Sequence, residues 1–115
     1  MFDFQKLVVY QKAKQFYVIS KQIALDKSID KNVRDQLSRA AFSVPLNIAE
    51  GAGKFSKADK KNFYTTARAS VFECVAIMDI LNEERKIDNN TFTSQLKCAD
   101  ELSRILFSMI KGLEQ

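Results

Sequence analysis

Phe63-Tyr64-Thr65-Thr66-Ala67-Arg68-Ala69-Ser70-Val71-Phe72-Glu73-Cys74-Val75-Ala76-Ile77-Met78-Asp79-Ile80-Leu81 decides the fold class. Within it Phe63, Ala67, Ser70, Cys74, Ile77 and Leu81 recur at steps of four and three, a seven-residue repeat that lines one side of an α-helix. Val71, Val75 and Met78 widen that side into a broad apolar face, so the helix must pack against more than one neighbour. Ser56 is a good N-cap and Asp59 complements the helix dipole in the first turn, which predicts a helix over about 57–83.

The same periodicity extends in both directions. Val9, Ala13, Phe16, Ser20 and Ile23 form a stripe in a first helix at about 5–25. The polar link from Asp26 to Asp30 follows, and Ser28 or Asp30 can cap a second helix over about 31–52. Val33, Leu37, Ala40 or Ala41, Val44 and Ile48 are its buried line. Pro45 lies inside it and removes one backbone donor, so one helix with a local kink is expected. Gly51 and Gly53 then supply the permissive backbone that ends the helix and turns the chain. After a second polar link, Thr91 or Asn90 caps a fourth helix over about 91–113, with Phe92, Leu96, Ala99, Leu102, Leu106, Ile110 and Leu113 inward. Short connections between successive helices predict an all-α, antiparallel up-down-up-down four-helix bundle filling 1–115 as one domain.

Composition agrees and narrows the chemistry. At 115 residues, 46% hydrophobic and 28% charged, the chain reads as one globular domain. Three Gly and one Pro are too few for the turns of an all-β protein. The start carries Asp3 and Lys6 rather than a basic segment before an apolar core, and no apolar run nears the roughly 18 residues that span a bilayer. A cytoplasmic location is expected. There is no histidine, which removes the commonest general base and the commonest transition-metal ligand. No cofactor, metal or catalytic residue is expected, and the chain reads as a non-enzyme. Cys74 and Cys98 stand far apart on apolar helix positions and read as free core thiols.

Residues 38–54 are unlike generic helix filler. Arg39, Ser43, Asn47 and Glu50 stand at steps of three and four, and Ser70 and Glu73 answer them one helix later. The set Arg39, Ser43, Asn47, Glu50, Ser70 and Glu73 reads as a buried polar network fixing helix two on helix three, with a ligand or partner site as the alternative. The string Ser38-Arg39-Ala40, then Ser43-Val44-Pro45 with Asn47-Ile48-Ala49-Glu50-Gly51, then Ser70 and Glu73, resembles the four-helix bundle family related to the 23S rRNA intervening-sequence proteins. The likeness covers nearly the whole chain and extends to the accessory variability proteins of diversity-generating retroelements, whose particular role is not carried over. The resemblance implies a homo-oligomeric ring of five subunits with a basic surface for nucleic acid, and no enzymatic activity.

Charge patterning offers a place for that surface. The formal charge is +4, and Lys54, Lys57, Lys60, Lys61 and Arg68 stand against Asp59 alone between residues 53 and 68. From Lys57 onward they share one helical stripe with Tyr64, which could stack a base, so an RNA or DNA surface is physically reasonable. A solvated lysine face is the plain alternative, with an unidentified protein as the partner of the assembled ring.

Overall fold

The computed structural model describes residues 2–114. A 3-10 turn, Asp3–Lys6, precedes α1 (Val8–Ile23), α2 (Lys31–Ala52), α3 (Lys57–Glu83) and α4 (Asn89–Leu113), with no strand among the described residues. Each helix packs on its two neighbours around a four-sided bundle, α1 against α2 and α4, α3 against α2 and α4. Side-chain pairs fix the directions. Along α2–α3, Lys60 reaches Gly51, Ser70 reaches Ser43 and Glu73 reaches Gln36, so one number falls as the other rises. The same antiparallel order joins α1 to α4 through Lys12–Glu101 and Phe16–Gln95. All four helices feed one core in which Phe16, Leu37, Val44, Ile48, Val71, Met78, Leu81, Leu102 and Leu106 are almost fully enclosed.

The caps explain most of the boundaries. Asp30 accepts from the Asn32 backbone N–H at 3.2 Å and Ser56 from that of Asp59 at 3.0 Å. At α4 the cap is Asp88, not Asn90 or Thr91: its carboxylate accepts both the N–H and the hydroxyl of Thr91, so the helix begins earlier than expected. The first helix also starts later. Leu7 is extended (φ −69°, ψ 129°), which separates the 3-10 turn from α1 and folds the Phe4 ring edge-on to Tyr10 at 4.9 Å. α2 runs through Pro45 as one helix, and the proline ring is buried. Gly51 and Gly53 do not serve as left-handed stops, since both have negative φ. Arg85 is instead the one described non-glycine residue with positive φ, 58°. It closes α3: its N–H bonds to Asn82 O at 3.1 Å and that of Lys86 to Leu81 O at 2.8 Å, the Schellman pattern.

Gly51 has a different task. A Cβ there would stand 2.7 Å from Tyr64 Cε1 and 3.0 Å from Phe63 Cβ, so glycine lets α2 and α3 approach closely. Tyr64 fills the space and is 6% exposed. Inside the bundle the Gln95 amide donates to Phe16 O at 3.1 Å and Ser20 Oγ at 3.0 Å, sewing α4 to α1.

Candidate functional site

Two regions gather the polar residues singled out by sequence. On the α2–α3 side Ser43 and Ser70 hydroxyls meet at 2.9 Å, and the Asn47 amide donates to Ser43 O and Ser43 Oγ, both at 2.8 Å. These three residues form a partly buried polar seam between the helices. Arg39, Glu50 and Glu73 do not join it: all three are exposed. The reason is angular. Phe42, Leu46, Arg39 and Glu50 lie on the outward side of α2, while Ser43 and Asn47 turn toward α3. The expected buried charge network is therefore corrected to a neutral seam with charges outside it. Next to the seam an open cleft of about 510 Å³ is lined by Asp35, Gln36, Arg39, Ser43, Ser70 and Glu73 among others. The Gln36 amide stands 3.5 Å from Glu73, and a hydrogen bond from Lys31 holds the Asp35 carboxyl below its usual range.

The second region is the basic start of α3. Lys54 and Lys57 are exposed, the former with its ammonium 5.1 Å from the Phe63 ring centre. Lys60 bends back and donates to the carbonyls of Gly51 and Ala52 at 3.3 and 3.0 Å, placing a cation on the negative end of α2. Lys61 pairs with Glu114 at 2.8 Å. Arg68 donates to Ser103 O at 3.1 Å, and its guanidinium lies 4.9 Å from the Phe72 ring and 5.4 Å from the Phe107 ring. Tyr64 is removed from the expected surface, because its ring packs on Gly51 and is buried, at the wall of a cavity that Phe4, Leu7 and Met109 also line. It cannot stack a base in this position. Lys54 and Lys57 are thus the fully exposed cations of the region, while Lys60, Lys61 and Arg68 are half-buried.

The thiols are quiet. Burial pushes Cys74 up to about 12, with the Glu73 charge adding to it, and burial also raises Cys98, so neither is a ready nucleophile near neutral pH. Both are free. No set of three or more Cys, Asp or Glu among the described residues is placed to hold a metal ion, and no helix is long and apolar enough to cross a membrane.

The sequence holds more aromatic residues than the core stripes require, Phe42, Phe72 and Phe107 among them, without showing which lie outside; the structure leaves these three exposed. Phe42 and Leu46 stand out on α2 beside Tyr17, whose ring meets Phe42 at 5.2 Å. Across the bundle, Phe72 and Phe107 flank a groove of about 520 Å³ between α3 and α4. Residues off the core stripe, such as Phe107, were the available signal.

The molecule is thus an antiparallel helical bundle with a neutral polar seam, a basic end and two exposed apolar faces. Residues 5–108 match the 23S rRNA-intervening sequence protein family, and the chain belongs to that family. Its fold is similar to that of a protein of unknown function from the S23 ribosomal protein family of Bacteroides thetaiotaomicron. The TM-score is 0.82 at 24% identity, covering 90% of this chain and 96% of that one. No curated protein matches the sequence.

Proposed function

We propose that this chain is a non-enzymatic protein that assembles with copies of itself and binds RNA or DNA through the basic end of the assembled bundle. The observation that carries the assembly is the pair of exposed apolar faces: Phe42 and Leu46 on one side, Phe72 and Phe107 on another, each roughly half exposed. Apolar side chains scattered singly need no explanation, but clustered ones at a groove mark contact surfaces. Polymer binding rests on Lys54 and Lys57 at the turn between α2 and α3, with Lys60 and Lys61 behind them. A lysine cluster this small is weak alone and gains strength when assembly repeats it, because linked contacts raise effective concentration.

A second reading is favoured by a specific observation. Tyr64 is buried and Lys60, Lys61 and Arg68 are each engaged within the chain, which suits a scaffold that holds another protein. Electrophoretic shift of structured RNA and duplex DNA at low and moderate salt separates the two. Retention that weakens steeply with salt, and that Lys54→Glu with Lys57→Glu abolishes, supports the nucleic-acid reading. An assembled protein that shifts neither polymer moves the function to protein scaffolding.

A further inference from the structure

We infer that the nucleic acid this chain takes up is single-stranded, and that Phe55, at the tip of the α2–α3 turn, is the platform on which one of its bases stacks. This rests on the polymer binding proposed above and names the strand class and the residue that selects it. Phe55 is fully exposed, the most exposed of the described aromatic rings. The backbone keeps it there. Gly53 closes α2, its N–H bonded to Ala49 O and Glu50 O at 3.2 Å each, and Ser56 opens α3 by accepting the Asp59 N–H at 3.0 Å. Only Lys54 and Phe55 separate those two caps, and a link that short leaves the ring no path back to the core.

Exposure alone does not mark a surface ring; its surroundings do. Lys54 and Lys57 flank Phe55 in sequence and are exposed. Lys60 bonds the last carbonyls of α2, Gly51 and Ala52, so the negative end of that helix is offset beside the turn. Asp59 is the sole acidic residue between 53 and 68. An open ring face between phosphate-seeking cations is the pairing a single strand uses: the lysines track its backbone, and the ring receives an unstacked base whatever its identity. A duplex offers the same phosphates but keeps its base faces covered, so it engages the charges and not the ring unless a step is pried open. Other partners fit less well. A protein contact needs an apolar patch, and the residues around Phe55 are Gly53, Lys54, Ser56, Lys57 and Ala58, all exposed and none large and apolar. A membrane surface would attract the lysines, but one ring buries too little to hold the chain there. Phe2 brings a second ring to this end: it is largely exposed and lines, with Gly53 and Lys60, a cavity of about 440 Å³.

Phe55→Ala and Phe55→Trp test this. Phe55 adds nothing to the core, so both variants are expected to keep the wild-type helicity, and because the chain has no tryptophan the second carries a single reporter at the platform. Fluorescence anisotropy is read with three labelled probes of equal length: single-stranded oligothymidine, the same strand made abasic throughout, and a duplex. The wild type is expected to prefer oligothymidine to the abasic strand. Phe55→Ala is expected to weaken oligothymidine binding about tenfold and to leave the other two probes unchanged. Phe55→Trp is expected to keep its affinity for oligothymidine, with its emission quenched as the strand is added. Undiminished oligothymidine binding by Phe55→Ala would overturn the inference, as would unquenched emission from a Phe55→Trp protein that binds the strand. Equal weakening on all three probes would overturn it too, since Phe55 would then be a general contact and not a platform for bases. Emission that shifts to the blue with phosphatidylserine vesicles and ignores oligothymidine would give the turn to a membrane surface instead. Wild-type protein that binds duplex and abasic strand as well as oligothymidine would remove this inference alone; one that binds no probe would remove the nucleic-acid reading with it.

Discussion

Gly51 shows how much a single missing methyl can decide. Sequence spacing suggests a helix terminator at this position, yet it lies inside α2 and is buried, and what it permits is the seating of the Tyr64 ring. Alanine there improves helix propensity but collides with that ring. Gly51→Ala is expected to destabilise the fold by about 1–3 kcal/mol, the range for overpacking a close helix contact. Urea unfolding of the two proteins checks it, and equal or higher stability of the variant would show that Tyr64 yields cheaply. Glu73 teaches the opposite lesson. It is exposed beside the Ser43–Ser70 seam, so Glu73→Ala is expected to shift stability by less than about 0.5 kcal/mol. A loss of several times that would restore the charged network that sequence suggested. Neither outcome was legible from spacing, because residues three or four apart share a face whether that face points inward or out.

At the scale of the element, four helices and the cap at Ser56 were readable because periodicity and capping are local. What escaped were features set by contacts between elements or by local alternatives of similar energy. Asp88 competes with Asn90 and Thr91 for one role, and the winner is the one that can bond two Thr91 groups together. The break at Leu7 depends on Phe4 finding Tyr10. Arg85 occupies a left-handed stop that usually falls to glycine. Arg85→Gly is therefore expected to stabilise the protein by about 1 kcal/mol, the steric cost of a left-handed side chain, read as a raised melting temperature. An unchanged or lowered melting temperature would mean that glycine's extra unfolded-state freedom offsets the relief.

Helix docking carries a pH signature. Lys12 hydrogen-bonds Glu101 and holds its carboxyl below the ordinary range, while Lys61 and then Lys111 do the same for Glu114. A carboxyl whose folded pKa is depressed stabilises the fold when ionised. The contribution is full above about pH 4.3, the ordinary glutamate value, and is lost as pH falls through the lower folded value. The Glu101→Gln, Glu114→Gln double variant should lose less stability than the wild type between pH 5 and pH 3. Denaturation midpoints at those pH values measure this, and parallel losses would show that the two pairs are solvated too well to matter.

For the whole molecule, the bundle itself leaves surfaces unaccounted for. A monomer needs its core filled and its buried polar groups bonded, and both are satisfied among the described residues, with no buried side-chain nitrogen or oxygen lacking a partner. Phe42, Leu46, Phe72 and Phe107 do none of that work. Composition and periodicity could count such aromatics but could not say which ones the fold leaves outside, since that depends on the rotation of each helix in the bundle. The basic end is similarly changed by folding: Lys60 turns to cap α2 and Tyr64 turns inward, so the expected stripe shrinks toward the α2–α3 turn. Assembly is the property from which the rest of the proposed function follows, because it buries the apolar faces and multiplies the remaining lysines. Size exclusion with light scattering on the wild-type protein tests it directly. The account predicts one species at a whole-number multiple of the chain mass, stable on dilution through the micromolar range; a monomer at every concentration would contradict it.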